Sequence, residues 1–221
     1  MTKNYKIHKK QLLIYVISLL NTYFNDGTKI KKDYISNSFN QSYERLIFCF
    51  SQIQNKYYFD KKNKSLNLNH LNSDQMATFL YFFSNCCYQN NLDRTICDKI
   101  YYLNKILNSI DIYYEVRLPD IFLLIHPVGT VLGRANYSDY LIVYQGVNVG
   151  SNKNIYPTFS KYVTLRPSSS ILGKSRMGIN SELATGSILI DSNISKNKIY
   201  FGNPKENFTK LKQNINEVWR R

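Results

Sequence analysis

Two periods of apolar residues divide the chain. From residue 72 the spacing is helical: Met76, Phe79, Leu80, Phe83 and Cys87 share one face, Asn72 or Ser73 stands ready as N-cap, and Asp74 falls in the first turn. Ile100, Leu103, Ile106 and Leu107 continue the theme in a later helix. Helix breakers hardly occur here, since of 9 Gly only Gly27 precedes residue 129 and all 5 Pro follow residue 118. This predicts a helical domain over residues 1–110.

The second half repeats every six residues. Phe159, Leu165, Ile171, Met177, Leu183 and Leu189 are all apolar, and four places after each stand Val163, Ser169, Ser175, Ser181, Ser187 and Asn193. Such a period gives one short strand and one turn per repeat, with the large residue inward and a small one beside it at the corner. Stacked turns then share one core, so a parallel β-helix is predicted over 111–204. Residues 151–156 interrupt the register and read as a loop extruded from a coil. After Asn203-Pro204, the spacing of Phe208, Leu211, Ile215, Val218 and Trp219 predicts an amphipathic C-terminal helix over 205–221 that caps the open end.

Composition narrows the class. A chain of 221 residues with 43% hydrophobic and 20% charged residues has enough apolar material for a buried core. The longest apolar run, from Leu12 to Phe24, is broken by Ser18, Asn21 and Thr22, which argues against a membrane span. The start has no cleavage site for secretion, so a cytoplasmic location is expected. Cys49, Cys86, Cys87 and Cys97 form no CxxC pair and read as reduced, packed thiols. The net charge of +14 is spread as +8 over 1–110, +3 over 111–200 and +3 over 201–221. A diffuse excess of this kind implies no nucleic-acid partner.

With the hexad in place, the stretch His126 to Gly133 (HPVGTVLG) resembles the bacterial hexapeptide acyltransferases, most closely the serine acetyltransferase family. The resemblance implies an α+β chain: an N-terminal helical domain, then a left-handed parallel β-helix. It also implies a homotrimer or dimer of trimers that moves an acetyl group from acetyl-CoA to a hydroxyl without a metal. His126 falls on the family's catalytic histidine, and Asp111, fifteen residues earlier, on the carboxylate that orients it. Tyr144 to Gly150 (YQGVNVG) matches the glutamine-containing turn, and Phe201 to Glu206 (FGNPKE) the end of the coil. The turns around Ser168, Ser169, Gly186 and Ser187 would face CoA. At two positions of the family's amino-acid pocket the chain departs. Ile125 replaces an acid, and Tyr156, ahead of Pro157, replaces a histidine. These departures favour a sugar acceptor for surface polysaccharide synthesis, with L-serine as the alternative and a non-catalytic scaffold as a third.

The residues carry the same chemistry by themselves. A hydroxyl attacks a thioester only when a base takes its proton, and His126 is the only histidine of the repeat domain, the others being His8 and His70. One histidine also cannot build a three-histidine zinc site. Gly146 and Gly150 are candidates for a backbone N–H aimed at the acyl oxygen. Arg166, Lys174 and Lys198, with Lys161 and Arg176, are candidates for the CoA phosphates. Tyr144, Gln145 and Tyr156 are candidates for contacts with the acceptor, and Asp74 and Asp60 are candidates to reach the same pocket from the helical half.

Overall fold

The computed structural model describes residues 6–60, 62–215 and 217–220. Four helices come first: α1 (Lys9–Tyr23), α2 (Lys32–Ser51), α3 (Ser73–Gln89) and α4 (Arg94–Asn108). A hairpin of β1 (Phe59–Asp60) and β2 (Ser65–Leu66) separates α2 from α3. Helix α3 starts where the cap residues predict, with the Asn72 side chain accepting the Gln75 N–H at 3.2 Å. Its apolar face is wider than the sequence period implies. Every residue from Gln75 to Cys87 is buried, because α2, α4 and strand β3 (Phe122–Ile125) all pack against it.

The segment after α4 is pinned to this central helix. The Tyr81 hydroxyl donates to the Val116 carbonyl at 2.7 Å and accepts the Leu118 N–H at 3.0 Å, while Asn85 donates to the Tyr114 carbonyl at 2.7 Å. These groups are buried, where each unmet donor or acceptor would cost about 1–3 kcal/mol.

From Phe122 the chain winds as parallel coils with three faces. The first face holds β3, β5 (Leu141–Tyr144), β8 (Thr164–Leu165), β11 (Glu182–Leu183) and β14 (Lys198–Gly202). The second holds β4 (Val131–Leu132), β6 (Asn148–Gly150), β9 (Ser170–Leu172) and β12 (Ile188–Ile190). The third holds β7 (Thr158–Phe159), β10 (Arg176–Met177) and β13 (Asn193–Ile194). All of these pairings are parallel.

Register stacks the inward residues into columns: Leu124, Val143, Leu165, Leu183 and Tyr200 on the first face, and Leu132, Val149, Ile171 and Leu189 on the second. All six residues of the predicted hexad are at most 1% exposed. At the second position Val163, Ser169, Ser175, Ser181 and Ser187 are buried, and Asn193 is exposed. Two of the serines fold a short hydroxyl back on the local backbone. Ser175 and Ser181 donate to the carbonyls of Leu172 and Gly178, each at 2.7 Å. The extruded loop lies where the broken register puts it, closed by the Asn152 and Ile155 pair.

The end of the chain corrects the expected capping helix. Gly202 (φ 102°) and Asn203, whose side chain accepts the N–H groups of Lys205 and Glu206, turn the chain into β15 (Asn207–Leu211). This strand runs antiparallel to β14. The last rung of a coil offers a row of open backbone donors and acceptors, which a strand satisfies and a helix would leave bare. Phe208 and Leu211 stay exposed on it. The tail then returns to the helices. The Lys212 N–H donates to the Asn197 carbonyl, the Gln54 N–H to Val218, and the Arg220 N–H to Gln52. Trp219 pairs with Ile53 and meets the Tyr140 ring edge-on at 5.5 Å. Residues 216 and 221 of the expected helix lie outside the described residues.

This strap makes Trp219, 3% exposed, a structural anchor. Trp219→Ala is expected to lower the unfolding free energy in urea by about 3 kcal/mol. Phe208→Ala, on the exposed strand, is expected to change it by less than about 1 kcal/mol. Equal effects would contradict the strap.

Candidate active site

Strand β3 ends at Ile125, and His126 opens the corner between the first and second faces. Its side chain is 77% exposed, so the imidazole points away from the packed interior. Its backbone has φ 50°, a left-handed conformation that costs a residue with a Cβ about 1–2 kcal/mol. Three hydrogen bonds hold the turn: Val128 N–H to the His126 carbonyl at 2.7 Å, Thr130 N–H to Pro127 at 3.1 Å, and the Thr130 hydroxyl to the Tyr144 carbonyl at 3.0 Å. A fourth comes from the helical domain. The Asp74 carboxylate Oδ1 accepts the His126 N–H at 2.8 Å and lies 4.0 Å from the imidazole Nδ1.

Asp74 sits in the first turn of α3, where the exposed N–H ends of the helix favour an anion. Its side chain is 14% exposed. Burial raises its carboxyl above the ordinary aspartate value, against the lowering effect of the His126 N–H, the imidazole charge and the Tyr58 hydroxyl.

Asp111 is placed differently from what the resemblance implies. It joins the coil by pairing with Val131, but its carboxylate accepts the Tyr101 hydroxyl at 2.7 Å and the Lys105 ammonium at 2.9 Å. The carboxylate bonded at His126 is that of Asp74. The physical reason is reach: Tyr101 and Lys105 stand one turn apart on α4 and meet Asp111 just beyond the end of that helix. The Asp111 carboxyl is held below its usual value. Burial pushes it up, and the two hydrogen bonds and the nearby ammonium outweigh that.

Below His126 the same corner repeats down the coil. Gly129, Gly146, Ser168 and Gly186 all have positive φ, and the rungs are tied by Gly146 N–H to Val128, Ser168 N–H to Gln145 and Gly186 N–H to Pro167 at 2.9–3.0 Å. A Cβ at Gly186 would meet nothing within 4 Å, and one at Gly146 would lie 3.2 Å from the Ser168 hydroxyl. The corner thus carries Gly129, Gly146 and Gly186, with the exposed Ser168 between them, down one edge of the coil. Its Gly146 N–H is consumed within the coil, which removes that donor from any acyl oxygen. Gly150 is half-buried in β6, beside Leu172.

The remaining candidates divide in the same way. Ser168 is exposed, whereas Ser169 and Ser187 are buried in the corners, and the Ser187 hydroxyl accepts the Gly202 N–H at 3.1 Å, so neither serine faces a ligand. Arg166 is committed within the chain: its Nε meets Glu182 at 2.6 Å and its Nη1 the Tyr144 hydroxyl at 3.3 Å, with Lys212 completing the cluster 3.4 Å from Glu182. Lys174 is exposed, and its N–H is held by Asp191 at 2.7 Å. Lys198 is half-buried at the start of β14, opposite Leu211 of β15. Gln145 has its side-chain oxygen buried without a protein partner, and Tyr156 is exposed on the extruded loop. Asp60 is bound up in its own turn with Lys62 and Asn63.

Tyr58, Tyr101, Lys105, Glu182 and Lys212 are partners that the sequence reading misses. Only Tyr101 and Lys105, four apart on one helix, left a local signal. All four cysteines are buried and unpaired, and burial pushes the Cys49 thiol up to about 12. Among the described residues no group of three or more His, Cys, Asp or Glu side chains converges to hold a metal, and no helix is long and apolar enough to cross a membrane.

The architecture is a set of helices packed on a parallel solenoid, with an exposed histidine at its first corner. The serine acetyltransferase from Brucella abortus strain S19 in complex with coenzyme A is similar over 95% of this chain and 84% of that chain, with a TM-score of 0.70 and 15% identity. Neisseria gonorrhoeae serine acetyltransferase in complex with serine is similar over 79% and 73%, with a TM-score of 0.63 and 19% identity. The enzyme from Vibrio cholerae O1 biovar El Tor gives 83% and 72%, 0.67 and 15%. The chain therefore has the fold of these transferases. No family model and no curated protein matches the sequence.

The Asp111 pairing has a pH signature. A carboxyl that holds its proton less tightly when folded stabilises the protein above its unfolded value of about 3.9, and that contribution disappears as pH falls through the lower folded value. Asp111→Asn is therefore expected to be less stable than the parent at pH 7 in urea unfolding, with the two converging in acid. A gap that widens below pH 4 would contradict the pairing.

Proposed function

We propose that the chain is an acetyl-CoA-dependent O-acetyltransferase with His126 as general base and L-serine as acceptor. The observation that carries this reading is the exposed imidazole at the first corner of the coil, above a glycine-rich edge, on a fold shared with a coenzyme A-bound serine acetyltransferase. The imidazole takes the hydroxyl proton as the acceptor oxygen bonds to the acetyl carbon. The carbon–sulfur bond breaks, and the proton passes to the departing sulfur to give the free CoA thiol. A base matched in this way contributes about 10²–10⁴-fold.

L-serine takes precedence over a sugar because a neighbour of the same fold is bound to serine. The sugar acceptor stays as the second reading, supported by Ile125 and the exposed Tyr156 at the two positions where the amino-acid pocket departs from the family. Assembly as a trimer, which would bring coil corners of neighbouring copies together, belongs to the same proposal, as does a cytoplasmic site of action.

Thiol release from acetyl-CoA, followed with L-serine and with a panel of sugar nucleotides, tests the reading. Turnover with serine is expected, and His126→Ala should reduce it by at least about a hundredfold. Turnover with a sugar and none with serine would reverse the ranking. Near-normal turnover by His126→Ala would remove the histidine from the chemistry.

A further inference from the structure

The base sits on a turn that it does not favour. A histidine at φ 50° relaxes to an ordinary conformation unless its surroundings hold it, and the turn's own bonds involve the His126 carbonyl and the residues after it. The His126 N–H is held by one group from another part of the chain, Asp74 Oδ1, 52 residues away on α3. That carboxylate is itself well fixed. It lies in the first turn of a helix buried along most of its length, is 14% exposed, and has the Tyr58 hydroxyl 3.5 Å from its second oxygen. Asp111, the carboxylate that the resemblance pairs with His126, is occupied by Tyr101 and Lys105.

We infer that Asp74 is the positioning residue of this site: by accepting the His126 N–H, it locks the left-handed turn and so lets the helical domain set where the imidazole points. The inference rests on the proposed role of His126 for its catalytic consequence. Its structural content, the hydrogen bond and the turn it holds, is independent of any activity. It also separates Asp74 from a role in gripping the acceptor. A residue that positions the base governs kcat, whereas one that binds the acceptor governs KM. A displacement of about 1 Å at a catalytic group costs about a hundredfold.

The test reads both consequences. In the unmodified protein, NMR is expected to show a coupling across the hydrogen bond between the His126 amide nitrogen and the Asp74 carboxyl carbon, together with slow exchange of that amide. Asp74→Ala should speed exchange of the His126 amide at least about tenfold while leaving the amides of the α3 interior protected. It should also lower kcat by about a hundredfold with the acceptor KM within about threefold. Asp74→Asn keeps an oxygen acceptor at the same place and should restore protection and recover at least about tenfold of the loss. Absence of the coupling and fast exchange in the unmodified protein would overturn the inference without any variant, as would a raised KM at constant kcat in Asp74→Ala. A chain with no transferase turnover and a protected His126 amide would remove the proposed function and leave the positioning bond standing.

Discussion

The structure depends on the stacking of similar short coils. Each rung gives its backbone N–H and carbonyl groups to the rungs above and below, and each inward side chain rests on its counterpart one turn away. Leu124, Val143, Leu165, Leu183 and Tyr200 form one such column, and Leu132, Val149, Ile171 and Leu189 another. The arrangement tolerates no drift of register, since a slip of one residue would turn a column toward solvent. It also fixes the corners. Where the chain must change direction within a few residues, positive φ recurs at Gly129, Gly146, Ser168 and Gly186, leaving exposed backbone along one edge.

That repeating frame has two ends to protect, and the chain treats them differently. At the first coil the helical domain covers β3 through α3, with Tyr81 and Asn85 satisfying the backbone of the connecting segment. At the last coil, β15 closes the open edge and the tail climbs back to Gln52, Ile53 and Gln54. The returning tail brings Lys212 over Glu182, beside Arg166, in a cluster with little exposure to water. Desolvation lowers the Lys212 ammonium's hold on its proton, and the Glu182 carboxylate works against that while Arg166 adds to it. The charges are held there by the fold, since their sequence positions give no hint of a meeting.

The candidate site lies where these two structural systems touch. The coil supplies His126 at a corner, and the helical domain supplies Asp74 from the first turn of α3. The corner has a left-handed backbone at His126, and burial pushes the Asp74 carboxyl up while the N–H it accepts there pulls it down.

Much of this was legible in the amino-acid order. The six-residue period named the inward residues of all three faces from Phe159 to Leu189, and the near absence of Gly and Pro before residue 118 marked the helical half. The lone histidine of the repeat domain marked the corner, because each of these signals is local and repeats or contrasts within a few residues. The tail was misread for the same reason. Phe208, Leu211, Ile215 and Val218 fit a helical spacing, and only the open edge of β14, formed by residues folded elsewhere, made a strand the better partner. The choice of carboxylate was likewise beyond the sequence, since Asp111 and Asp74 are equally acidic on paper. Tertiary structure decided between them by bringing Lys105 and Tyr101 to one and the His126 backbone to the other, contacts set by how helices and coil pack and not by proximity along the chain.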